Sequence, residues 1–70
     1  MDIRLMTCVI IRKDKEYLVG KVLYSEDLRW SRSPHDAWRT RNIKKARDMA
    51  QNTGGTLMLF NPVAGQLRAL

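Results

Sequence analysis

The side chains with chemistry to offer are concentrated in one stretch of the chain. His35 stands beside Asp36, with Ser31 and Ser33 just upstream. A histidine oriented by a carboxylate is the usual device for activating a serine hydroxyl. The spacing here does not deliver it, because adjacent residues on a helical turn point about 100° apart. Neither serine is framed by the glycines of a nucleophile elbow, and Ser33 is better placed to cap a helix. Cys8 lies among apolar neighbours, where a thiol behaves as a small hydrophobe unless its pKa is lowered. One histidine and one cysteine cannot assemble a zinc cluster, and neither has a second ligand at finger or knuckle spacing. Gly54-Gly55 ends a helix instead of opening one, and no Lys-Ser/Thr pair follows it, so it is not a phosphate loop. The expectation is a chain with no catalytic constellation, no cofactor and no metal.

Charge is the stronger signal. The formal net charge is +6, from 13 Lys and Arg against 7 Asp and Glu. Residues 1–28 balance Arg4, Arg12, Lys13, Lys15 and Lys21 against Asp2, Asp14, Glu16, Glu26 and Asp27, and residues 48–70 balance Asp48 against Arg68. The whole surplus therefore lies in residues 29–47, where Arg29, Arg32, Arg39, Arg41, Lys44, Lys45 and Arg47 face only Asp36. Charges clustered in this way attract an anionic partner, whereas scattered ones are screened. Arginine predominates, and its planar fork suits phosphate and carboxylate. A solvated helix face that maintains solubility is the plainer explanation of the same residues. Trp30 and Trp38 flank the basic stretch and could stack on unpaired bases. With aromatics making up only 7% of the chain, the core has the first claim on both rings.

These groups must be positioned by very little protein. Seventy residues support one domain, residues 1–70, with a modest core. A core of that size leaves roughly 3–5 kcal/mol of net stability, so a second copy would be a useful support. An apolar content of 44% argues against disorder. A single cysteine excludes an internal disulfide and favours a reducing cytoplasm. The longest apolar runs, Cys8 to Ile11 and Leu57 to Phe60, are far short of the roughly 20 residues of a membrane span. Met1 to Ile11 resembles a signal peptide only faintly, since Asp2 stands near its start and no small-residue cleavage site follows.

The pattern predicts an α+β fold. Residues 3–12 alternate unevenly, with Ile3, Leu5, Thr7, Val9 and Ile11 on one face and Arg4, Met6, Cys8, Ile10 and Arg12 on the other, and the β-branched first set suits a strand packed on a core. Lys13-Asp14-Lys15 makes a short connection, and Glu16 to Tyr24 restarts the extended pattern as the second arm of a hairpin. Gly20 marks a bulge or a close backbone approach. Ser25 to Leu28 reads as a turn and Leu28-Arg29-Trp30 as a short extended piece. Ser33-Pro34-His35-Asp36 opens a helical turn reaching Arg39, with Ser33 as cap and Asp36 completing a capping box. The main helix spans about Asn42 to Asn52, capped by Thr40 or Asn42, with Ile43, Ala46, Met49 and Ala50 on its apolar stripe. Gly54-Gly55 closes it. Thr56 to Phe60 is a central strand, and Gln66-Leu67-Arg68 is a short edge strand or a trailing end. The architecture expected is a small antiparallel sheet of three or four strands, in the order β-β-α-β, covered on one face by one main helix.

The segments Leu28-Arg29-Trp30-Ser31, Asp36-Ala37-Trp38-Arg39-Thr40, Lys45-Ala46 and Gly54-Gly55 resemble small uncharacterised proteins of bacteriophages and prophages. In those proteins a tryptophan-serine pair and an alanine-rich helix follow a hairpin. The resemblance covers roughly residues 8–60 and implies a phage context without an activity. The chain is more loosely similar to plant-type and integrase-arm modules that read DNA with a three-stranded sheet before a helix. It departs from them in having a strand after the helix and in lacking a clear third strand before it.

The reading that follows is a cytoplasmic, non-enzymatic binding module. Arg29, Arg32, Arg39, Arg41, Lys44, Lys45 and Arg47, with Trp30 and Trp38, would contact a nucleic-acid phosphate backbone. The alternative is a phage accessory protein whose same residues bind or inhibit an acidic protein. A homodimer is compatible with either, and a membrane partner is not expected.

Overall fold

The computed structural model describes residues 7–21 and 27–70, the side chain of Lys21 excepted. Five strands and one helix follow one another as β1 (Cys8–Lys13), β2 (Glu16–Lys21), β3 (Leu28–Ser31), α1 (Ile43–Thr53), β4 (Thr56–Asn61) and β5 (Gln66–Ala69). A single 3-10 turn, Pro34–Asp36, lies between β3 and α1. The strands form one antiparallel sheet in the order β3-β2-β1-β4-β5. The α+β class and the single helix agree with the sequence. The strand count does not: Leu28-Arg29-Trp30 is a full sheet member and Gln66–Ala69 is paired, giving five strands. The expected strand stretches 3–6 and 22–24, and the turn at 25–26, lie outside the described residues.

Alternation assigns the two faces of the sheet. Cys8, Ile10, Tyr17, Met58 and Phe60 form one buried cluster with Ala37, and Leu67 packs against it. His35 meets Phe60 edge-on at 5.1 Å between ring centroids. Residues 34–37 therefore cover this face. On the other face Ile11 is paired with Leu57. Leu57 borders a groove with Arg47, Ala50 and Gln51 of α1, which places the helix over that side. Val9, Ile11, Leu18 and Ala46 are buried. Each face of the central strand thus acquires its own cover, which is how so short a chain buries Ile10 and Ile11 completely.

Local chemistry fixes the boundaries. Asp14, at φ 58°, turns the chain between Lys13 and Glu16, a conformation that short Asx side chains tolerate. The β2–β3 register shifts between Leu18 and Gly20, the bulge that Gly20 implied. Asn42 caps α1, its Oδ1 accepting from the amides of Lys44 (3.1 Å) and Lys45 (3.2 Å). Gly54 ends the helix at φ 75°, where residues with a Cβ are disfavoured. The buried Asn61 accepts from the amides of Val63 and Ala64 and so shapes the β4–β5 turn.

Three local expectations are corrected. Ser33 makes no side-chain cap, and the turn it precedes ends at Asp36 instead of running to Arg39. Asp36 accepts from the Ser31 hydroxyl (3.2 Å), so its carboxylate braces the end of β3 instead of completing a capping box. Ile43, placed on the apolar stripe, is the first residue of α1 and is 40% exposed, the helix burying Ala46 and Thr53 instead.

The β1–β2 hairpin is paired only near its turn, at Arg12–Tyr17 and Lys13–Glu16. Beyond that point the residues after the 3-10 turn enter the gap. The Trp38 amide donates to the Leu18 carbonyl (2.8 Å), and Val9 and Thr40 exchange backbone bonds of 2.8 and 3.1 Å. Residues 38–40 thereby act as a wedge between β2 and β1. No helix among the described residues is long and apolar enough to cross a membrane.

Candidate anion-binding site

The wedge decides where the basic residues go. Thr40 is tied to Val9 in an isolated antiparallel bridge. In an extended segment the residues on either side of a bridged position point the same way. Arg39 and Arg41 accordingly emerge together, and with Cys8, Thr40 and Pro62 they line a cleft of about 340 Å³. Among the described residues no carboxylate lines it. Arg39 is further held by a bond from its Nη2 to the His35 carbonyl (2.9 Å), which fixes the guanidinium while leaving other N–H groups for a ligand. The His35 ring stands beside Pro62, its Nε2 3.3 Å from the Pro62 carbonyl oxygen, where the Nε2–H tautomer donates.

Cys8 forms part of the wall without offering a nucleophile. Its Sγ donates to the Phe60 carbonyl at 3.3 Å, and the residue is buried. Burial pushes the thiol pKa up, and the positive charges of Arg39 and Arg41 offset only part of that shift. A raised pKa favours the inert thiol over the thiolate.

The other expected site residues do not join this cleft. Lys44 and Lys45 follow it directly in the chain, exposed on the first turn of α1. Their backbone amides are already engaged by Asn42, so their contribution comes from the side-chain ammonium groups. Helical geometry separates Lys45 from Arg47 by about 160° around the axis. Arg47 instead borders the groove by Leu57 and Leu70. Arg29 is exposed on β3, opposite Gly20, and Arg32 is exposed just after that strand. The cations therefore spread from one concentrated pair, Arg39 and Arg41, instead of forming one continuous sheet of charge.

The tryptophans are half-buried, and neither lines the cleft. Trp30 is paired with Leu18 and stands near Lys13, Asp14 and Glu16 at the hairpin turn. Among the described residues Tyr17 and Phe60, not Trp30 and Trp38, supply the buried aromatic rings. Sequence reasoning missed Pro62 and the involvement of Cys8 in the cleft wall. Both reach it through long-range pairing, Cys8 lying opposite Phe60, two residues from Pro62. Arg12 was also outside the expected set, and its guanidinium lies 5.8 Å from the Tyr17 ring centroid. No family model, curated protein or solved structure matches this chain.

Proposed function

We propose that the chain is a non-enzymatic binding module that grips the phosphate backbone of a nucleic acid through Arg39 and Arg41, with Lys44 and Lys45 adding contacts alongside. The observation that carries this reading is the cleft itself. Two guanidiniums face the same side, one is braced by the His35 carbonyl, and no carboxylate of the described residues lines the cleft beside them. Guanidinium forks bind phosphate oxygens with charge-assisted hydrogen bonds, and a braced fork loses less entropy on doing so. The half-buried Trp30 and Trp38 take no part in the grip, so sequence readout is weak and the backbone dominates.

Labelled single-stranded DNA, duplex DNA and RNA titrated at several salt concentrations test the reading. Four engaged phosphates give a slope of log affinity against log salt of roughly −3 to −4. Absence of binding at low salt overturns it. A pull-down from nuclease-treated lysate separates it from the alternative, an acidic protein held by the same arginines.

A further inference from the structure

We propose that the open edge of β5 is a docking site for an extended peptide in which an acidic and an apolar residue stand two positions apart, added to the sheet as a sixth strand. This surface is independent of the nucleic-acid reading. The Arg39–Arg41 cleft is lined by Cys8 and Thr40 on the β1 side of β4, whereas β5 pairs with the other side of β4 and its groove opens at the Thr56 end, under α1.

The hydrogen-bond phase of β5 comes first. The Leu70 amide donates to the Leu57 carbonyl, and Arg68 stands opposite Leu59, so Arg68 and Leu70 turn their backbone groups inward to β4. In an antiparallel ladder the residues between them turn outward. Leu67 and Ala69 thus present N–H and C=O groups along the edge, as β-strand addition requires.

The two edges of the sheet differ. The β3 edge belongs to a pair whose register is broken between Leu18 and Gly20, and such a bulge twists an edge away from new partners. The β5 pairing is regular through four successive pairs, Asn61–Gln66 to Met58–Ala69. It contains no proline and only one charged residue, Arg68. Among the described residues it is the edge left without the usual protection against strand addition.

The adjoining groove specifies the side chains. About 590 Å³ of space opens between α1 and the sheet, bordered by Ala50, Gly55, Leu57 and Leu70, with Arg47 at its side and no acidic side chain among the described residues lining it. Arg68 shares a face with Leu57, because its partner Leu59 is two positions along β4. An added strand therefore places one side chain against Arg68 and the next on that face beside Leu70 and the groove. The first should be acidic and the second apolar. A second copy of this chain fits badly, since pairing β5 with β5 would gather Arg47 and Arg68 of both copies on one face.

The probe is a fluorescein-labelled peptide repeating Leu-Thr-Glu-Thr, with a Lys-for-Glu version and a version N-methylated at alternate residues as controls. Saturable binding is expected for the first, with at least about tenfold weaker binding for each control, the effect of losing one charge-assisted or backbone contact. Ala69→Pro should weaken the acidic peptide similarly by removing an outward N–H while sparing the inner ladder. Should that variant misfold by circular dichroism, the N-methylated peptide makes the same test on the native protein. Arg47→Glu with Arg68→Glu should reverse the preference between acidic and basic peptides. Absence of binding, or equal binding by the N-methylated peptide, overturns the proposal. So does displacement of the peptide by an oligonucleotide, or a dimer by sedimentation that Ala69→Pro abolishes.

Discussion

Gly55 lies directly against the Cγ2 methyl of Ile11, with the Arg12 carbonyl oxygen beside it. The tight exit from α1 into β4 depends on this closeness, which brings the helix down onto the central strand. A Cβ at position 55 would land on a fully buried side chain and on backbone, neither of which can retreat cheaply. Gly55→Ala should therefore cost about 1–3 kcal/mol, as overpacking does. Urea unfolding measures it, and an unchanged midpoint would contradict the packing described.

Removing the cleft arginines should act on binding and not on folding. Arg39→Ala and Arg41→Ala should each reduce oligonucleotide affinity and lower the magnitude of the salt slope by about 1. Arg29→Ala should change both much less, because Arg29 stands on β3 away from the cleft. Equal effects from all three would mean that diffuse charge, not the paired arginines, drives association.

Asn42→Ala should cost about 0.5–2 kcal/mol, the usual effect of removing an N-cap, since the amides of Lys44 and Lys45 both lose their acceptor. Lys45→Glu runs the other way on stability. A carboxylate in the first helical turn should add about 0.3–1 kcal/mol through the helix dipole, yet weaken oligonucleotide binding. Thermal melts read beside a binding titration reveal such opposed effects, and a variant that moves both quantities together argues against a binding role for Lys45.

Cys8 carries a pH signature. Its thiol pKa is raised by burial in the folded state, so the native protein holds the proton more tightly than the unfolded chain does. The associated stability is complete below the unfolded thiol value of about 8.5 and is lost as pH rises through the higher folded value. Stability should fall on alkaline titration and fall less in Cys8→Ala, while thiol reagents at neutral pH should label Cys8 slowly until denaturant is added. Rapid labelling of the native protein at neutral pH would refute this.

Much of the scaffold is legible in local sequence. Asn42, Gly54 and the apolar run from Cys8 to Ile11 act through neighbours a few residues away, and each specifies its element. Gly20 marked its bulge for the same reason. The wedge is different in kind. Nothing in Trp38-Arg39-Thr40 reveals that its backbone completes a gap between strands ending at Lys13 and beginning at Glu16, because that pairing is set by tertiary closure. The basic residues were visible as a cluster along the chain. Their division into a facing pair, Arg39 and Arg41, and a dispersed remainder depends on which side of the wedge each one leaves.

The wedge also has a kinetic meaning. β1 is flanked by β4 on one side and, through Val9, by Thr40 on the other, so both partners of its first half come from the later part of the chain. The tight reversal at Asp14 can form on its own, but it zips only as far as Tyr17. Completing the sheet waits for residues far along the sequence to arrive and dock. Such high contact order makes assembly slower than for a simple hairpin capped by a helix.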